Sequence, residues 1–192
     1  SSPEGIRDAE EWARALGIDY AFIPINDFLA PLSKIPWRRS EVAVMNAKPR
    51  IRMLLLYDMA NSEGLAVLGT GNRTELLLGY FTKHGDGACD LLPIGDLYKS
   101  QVWQLAEHVG VPERIVKKIP SAELAPGQTD EGEMGLSYRM ADVVLHLCVD
   151  KGEPPERAVE AGVPREMVER VLSRIEANEH KRRPPPVIPA RG

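Results

Sequence analysis

A hydroxyl, four carboxylates and two lysines (Thr70, Glu75, Lys83, Asp86, Asp90, Asp96 and Lys99) fall within one stretch, LAVLGTGNRTELLLGYFTKHGDGACDLLPIGDLYK, Leu65 to Lys99. They crowd three glycine turns, at Gly69 to Gly71, Gly85 to Gly87 and Gly95. Glycine lets backbone approach a ligand closely, and a turn that opens a helix aims unpaired N–H groups at anions. The combination suits the binding of an anionic ligand such as a phosphate. Lys99 adds to this, because the pattern Val102, Leu105, Ala106, Val109 predicts a helix that Lys99 begins. A cation in a first turn opposes the helix dipole unless a phosphate or carboxylate neutralises it.

Two other regions carry charge in positions that ask for a partner. Pro49 suits the first turn of a helix, which would place Arg50 and Arg52 at its N-terminus. Those arginines read either as a solvated turn or as a seat for an anion. Residues 120–135, PSAELAPGQTDEGEMG, form a polar connection longer than most, which predicts an active-site lid or a binding loop. Its acids Glu123, Asp130, Glu131 and Glu133 are candidate metal ligands, a solvated acidic loop being the preferred reading of the last two.

The elements that would position these groups alternate between helix and strand. Ser2 and Pro3 open a helix that Gly17 stops, and IDYAFIPI, Ile18 to Ile25, reads as a buried strand. Phe28 to Trp37 reads as a short helical turn and a loop. A second strand, Leu65 to Leu68, turns sharply at Gly69 and leads into an apolar segment, Glu75 to Leu78. Thr70 and Glu75 then stand at the carboxyl edge of a strand, where an open parallel α/β sheet holds its ligands. Asp90 to Ile94 is a short extended segment. From Tyr138 the pattern is helical, in runs over Met140–Val149, Pro155–Ala161 and Pro164–Asn178, and the tail His180-Lys181-Arg182-Arg183 before three prolines is predicted to be unfolded.

Composition excludes several classes. With 192 residues, 43% hydrophobic and 27% charged, the chain is an ordinary globular domain, and a net charge of −4 gives no overall field that attracts nucleic acid or anionic membrane. No apolar run reaches the ~20 residues of a membrane span and no signal pattern opens the chain, so a cytosolic setting is expected. Cys89 and Cys148 have neither disulfide nor zinc spacing and read as small apolar residues. His84, His108, His146 and His180 lack metal spacing as well.

GTGNRTELLLGYFTKHGDGACDLLPIGDLYKSQV, then PSAELAPGQTDE, then HKRRPPP, resemble in that order the ammonia-dependent NAD synthetases of the ATP-pyrophosphatase group. The resemblance spans nearly the whole chain. It implies an α/β fold of adenine nucleotide alpha-hydrolase type, Rossmann-related, with an open parallel sheet, flanking helices and a helical C-terminal part. The implied reaction is amidation of deamido-NAD with ammonia: its carboxylate attacks the α-phosphate of ATP, pyrophosphate leaves, and the adenylate yields NAD and AMP. Making AMP the leaving group overcomes the poor electrophilicity of a carboxylate, with magnesium and cations offsetting the triphosphate charge. On this resemblance Thr70 contacts ATP, Glu75 holds magnesium, and Lys99 and Ser121 meet the ATP phosphates as catalytic residues. Arg50, Lys83, Asp90, His180 and Lys181 match positions that contact deamido-NAD, and a homodimer is implied.

The family's glycine-rich Ser-Gly-Gly-x-Asp-Ser phosphate loop does not occur in residues 1–192. The initial helix and strand also form only half of a βαβ unit. Both observations predict a single domain, 1–192, that is N-terminally truncated, with the loop and a strand upstream of Ser1. Two alternatives remain at this point: the synthetase domain of a glutamine-dependent NAD synthetase, and a nucleic-acid-binding helix-turn-helix over Glu153 to Arg174 with the basic tail.

Overall fold

A computed structural model describes residues 2–122 and 127–190. Helix α1, Pro3–Leu16, begins and ends as its sequence dictates: Ser2 Oγ accepts the Gly5 N–H at 3.1 Å, and Gly17 closes the helix at φ 67°. Asn26–Leu29 forms α2, continued by a 3-10 turn over Ala30–Lys34. Helix α3, Glu41–Glu63, differs from expectation. It starts at Ser40, whose hydroxyl accepts the Ala43 N–H at 3.2 Å, so Pro49 lies in the interior and not in the first turn. The cap and the helix-forming run before Pro49 outweigh the backbone bond that a proline forfeits. Arg50 and Arg52 are therefore mid-helix, and the dipole argument for an anion beside them fails.

The parallel sheet is not seen among the described residues. Residues 18–25 are non-helical, and Ile18, Tyr20, Phe22 and Ile23 are exposed. A strand exists only beside a neighbour, and none of the described segments lies alongside this one. The second expected strand reduces to one parallel bridge, Leu68 with Leu91. Around it the Gly69 N–H donates to Leu91 O at 2.8 Å and the Asp90 N–H to Val67 O at 2.9 Å.

The core lies in the second half of the chain. Helices α4 (Arg73–Leu78), α5 (Lys99–His108), α8 (Tyr138–Val144), α9 (Pro155–Glu160) and α10 (Arg165–Ala177) bury Leu78, Tyr98, Tyr138, Val144, Leu145, Ala158, Val168 and Val171 against one another. Beyond Val144 the backbone widens into a π-helical turn, Leu145–Asp150. A short α6, Glu113–Val116, joins α1 through Arg114, which pairs with Asp8 and Glu11.

Two irregular regions prove more ordered than predicted. Within 120–135, Asp130–Met134 forms α7, capped by Thr129, and the Asp130 N–H donates to Pro120 O at 2.9 Å, closing the connection on itself. The tail also folds, as α11, Glu179–Arg182. Its cations supply the reason: Lys181 Nζ donates to Gly79 O and Phe81 O at 2.6 and 3.0 Å, and Arg182 donates to Leu77 O and Ile175 O, both at 2.6 Å. Positive groups on the carbonyl end of α4 are favourable.

Gly79 ends α4 at φ 64°, and a Cβ there would overlap the Asn178 side chain, whereas Gly17 at φ 67° faces open space. Gly17→Ala is expected to cost about 1–2 kcal/mol for the left-handed backbone alone. Gly79→Ala should cost clearly more, read as a thermal midpoint lower by about 2–4 °C for each further kcal/mol. Equal losses for the two variants would mean that the α4–α10 contact adds nothing.

Candidate active site

The turn that begins α4 is built by a reciprocal cap. Asn72 Oδ1 accepts the Glu75 N–H at 3.0 Å, and Glu75 Oε2 accepts the Asn72 N–H at 3.1 Å. One carboxylate oxygen of Glu75 is thereby fixed, and the other, Oε1, receives Lys99 Nζ at 2.9 Å. Both side chains of this ion pair are mostly buried, 18% and 17% exposed. Lys99 Nζ also stands 5.1 Å from the centre of the Tyr138 ring, a cation–π contact.

Two cavities open near the pair, which lines only the first. One, of about 460 Å³, is lined by Glu75, Lys99, Trp103, Ser121 and Asp130. The other, an open cleft of about 580 Å³, is lined by Thr70, Thr82, Arg52, Arg174 and Lys181. Tyr80 and Asp86 border both. A small recess holds Thr70 and Glu75 together with the same Tyr80 and Asp86. The structure thus gathers Thr70, Glu75, Lys99, Ser121 and Lys181 around a common junction.

The remaining predicted residues lie nearby in a different arrangement. Arg50 donates to Lys83 O at 3.3 Å, and Lys83 Nζ donates to His180 O at 2.6 Å, a chain that links α3, the turn after α4 and α11. Asp90 is occupied elsewhere: Oδ2 accepts the Val67 N–H at 2.7 Å and Oδ1 the Tyr57 hydroxyl at 3.2 Å, and it lines neither cavity. The hydroxyl of Ser121 donates to Gln128 O at 2.6 Å.

Of the acids considered as metal ligands, three have structural partners. Asp130 accepts the Tyr138 and Tyr80 hydroxyls at 2.9 and 3.2 Å, Glu133 accepts Tyr80 at 2.8 Å, and Glu131 accepts the Tyr138 N–H at 2.8 Å. Glu123 lies outside the described residues. Among the described residues no cluster of three or more His, Cys, Asp or Glu side chains could hold a metal. Magnesium, however, takes one or two carboxylates and completes its octahedron with water and substrate phosphates. Glu75 in the wall of a cavity that Lys99 also lines fits that habit and not that of an all-protein cage.

Burial, followed by hydrogen bonding to Glu133, raises Tyr80 well above the ordinary phenol range, and burial, then the Glu75 charge, does the same to Tyr138. Both are neutral donors at any physiological pH. Burial, with Arg174 nearby, lowers the Lys181 ammonium. Cys89 and Cys148 are raised chiefly by burial, as inert thiols are.

Sequence reasoning gave no role to Tyr80, Asp86 or Arg174. Asp86 stood in the charged stretch, but Arg174 is on α10, far along the chain, and only folding brings it to the cleft.

A family model described as NAD synthase matches residues 1–185. The chain belongs to the NAD synthase family. The NH(3)-dependent NAD(+) synthetase of Archaeoglobus fulgidus is 48% identical over 188 residues, covering 98% of this chain and 72% of the relative. Among solved structures, an NMN synthetase from Francisella tularensis superposes with a TM-score of 0.85 at 35% identity, covering 98% of this chain and 74% of that one. The NH3-dependent NAD synthetase of Campylobacter jejuni, solved with nitrate, gives 0.80 at 28% identity, with coverages of 98% and 73%. Family membership sets aside the helix-turn-helix reading, and α9 and α10 bury Ala158, Val168 and Val171 in the core.

Beside the site, Arg73 and Tyr98 both donate to Asp150. Burial pushes the Asp150 carboxyl up, but these bonds outweigh it and hold it below the ordinary 3.8. A depressed folded value means stability that is present above 3.8 and lost as the pH falls through the folded value. The stability gap between wild type and Asp150→Asn should therefore be full at neutral pH and shrink below 3.8, as followed by denaturant titration at a series of pH values. A gap unchanged down to strong acid would contradict the assignment.

Proposed function

We propose that the chain amidates deamido-NAD to NAD with ammonia, consuming ATP and releasing AMP and pyrophosphate through a deamido-NAD adenylate. The observation that carries this is the Glu75–Lys99 pair in the wall of one cavity, which meets the cleft lined by Thr70 and Lys181 at Tyr80 and Asp86. Activation requires a carboxylate to approach a triphosphate, an encounter of anions that only fixed positive charge makes affordable. In this reading Lys99 turns from Glu75 to the phosphates and remains with them as pyrophosphate leaves. Thr70 donates a hydroxyl hydrogen bond to ATP, and Ser121 does so by turning its hydroxyl from Gln128 O. Magnesium, when bound, neutralises triphosphate charge, and Glu75 is the residue that would hold it. Ammonia then attacks the activated carbonyl, AMP departs with the bonding pair, and one proton is released.

On the other side, Arg50, Lys83, His180 and Lys181 bind deamido-NAD. Their backbone links between α3, the turn after α4 and α11 support a role as one unit. Asp90 acts through Val67, keeping the turn that presents Thr70. The finer features belong to the same proposal: a parallel α/β sheet of nucleotide alpha-hydrolase type, a cytoplasmic location, and a homodimer. Among the described residues no helix is long and apolar enough to cross a membrane. Helix α3 supports the dimer, since Val42, Leu54, Leu56 and Met59 point in several directions around it and all are exposed. Exposed apolar side chains gathered on one helix suit a surface that a second copy covers.

The resemblance to the Francisella NMN synthetase favours a second reading, in which nicotinate mononucleotide replaces the dinucleotide. Comparing kcat/KM for the two acids, each with ammonium and with glutamine as nitrogen donor, separates the readings and tests the choice of nitrogen source.

Glu75→Gln preserves shape and removes the metal-binding charge, so adenylation should fall about 100-fold or more. A near-normal rate at low magnesium would remove Glu75 from the site. Lys83→Ala should chiefly raise KM for deamido-NAD, whereas Lys99→Ala should impair ATP use and the adenylation step. Exchanged phenotypes would reverse the assignment of the two cavities.

A further inference from the structure

Helix α5 begins with only half a capping box of its own, Gln101 Oε1 accepting the Tyr98 N–H at 2.8 Å. Tyr98 at the N-cap position forms no side-chain cap bond, yet the first two N–H groups of the helix are satisfied from other elements. The Lys99 N–H donates to Thr74 Oγ1 at 2.9 Å, and the Ser100 N–H donates to Asp142 Oδ2 at 2.9 Å. Thr74 Oγ1 in turn donates to Asp142 Oδ1 at 2.5 Å. The hydroxyl has one proton, and giving it to Asp142 leaves its lone pair for Lys99, so the direction of the relay is fixed.

Asp142 is 6% exposed and Thr74 is fully buried. Among the described residues Asp142 forms no ion pair, and its partners are these two donors at the positive end of α5. The amino end of α5 is thus occupied by a protein carboxylate. The N–H groups of Lys99 and Ser100 are taken, and the Lys99 side chain is the group that can meet an incoming anion.

One carboxylate on α8 therefore joins the residue beside Glu75 to the residue beside Lys99. We propose that Asp142, through Thr74 and Ser100, is a positioning residue that sets Lys99 against Glu75 for the ATP-dependent step. This rests on the reading of Lys99 as the ATP-side cation. Reactive geometry is sensitive on this scale, a displacement of about 1 Å costing on the order of 100-fold in rate.

Thr74→Val keeps the side-chain shape and breaks the relay, Thr74→Ser keeps the hydroxyl, and Asp142→Asn removes the charge at nearly constant size. Steady-state kinetics on the purified enzyme, with folding checked by circular dichroism, should show kcat lower by about 10- to 100-fold for Thr74→Val and Asp142→Asn. KM for deamido-NAD should stay within about threefold in both, and Thr74→Ser should recover most of the rate. The decisive comparison adds Thr74→Val, or Asp142→Asn if the valine variant does not fold, to Lys99→Ala. Little further loss in the double variant supports action through Lys99, because residues acting as a unit are not additive. Full additivity, an unchanged kcat in the single variants, or a loss confined to thermal stability would overturn the proposal. A normal Lys99→Ala enzyme would overturn it too, but by removing Lys99 from the ATP side, a failure visible before any double variant is made.

Discussion

Helix α4 has six residues, and isolated helices shorter than about 12–15 residues are marginal in water. It persists because it is gripped at both ends. The Asn72–Glu75 box closes its amino end, Lys181 and Arg182 take the carbonyls at its carboxyl end, and Leu78 between them is fully buried. Glu75 is at once a cap and the acid of the site, so the fold and the chemistry share a side chain. Its Oε2 maintains the helix while Oε1 faces Lys99.

The carboxylates near the site divide according to what they accept. Asp90, Asp130 and Asp142 take hydrogen bonds from hydroxyls and backbone N–H groups, which are bonds between parts of the scaffold. Such bonds tie segments of the scaffold together without a cation. Glu75 differs in having a flexible ammonium as one of its two partners. An ammonium on a four-carbon stem can leave for a phosphate and return, whereas a buried backbone N–H cannot. Sorting acids by the mobility of their partners separates Glu75 from its neighbours better than counting negative charges does.

Local signals were legible where the physics is local. Ser2, Gly17 and the placement of Lys99 at the head of α5 were readable because caps and turns depend on a few adjacent residues. Pro49 misled for the same reason: its preference for a first turn is a tendency, and the cap at Ser40 decided where α3 begins. Strands need neighbours, so IDYAFIPI could not become one by composition alone. Asp130 looked like a metal ligand until folding brought it the hydroxyls of Tyr138, eight positions on, and of Tyr80, 50 positions back. The motifs supplied most of the candidate residues that the fold brings together, but the links through Tyr80, Arg174 and Asp142 are long-range and left no mark on spacing.

Lys181 reaches back 102 positions to Gly79, and Arg182 reaches 105 to Leu77. Contacts so distant in sequence form late, because the intervening chain must be synthesised and its ends brought together first. During synthesis the carbonyl end of α4 is therefore uncovered until α10 and α11 have left the ribosome. The stretch from Leu65 to Lys99 is thus unassembled while the residues from 100 to 182 are made. The last turn of helix acts as the latch that makes the earlier residues into a site.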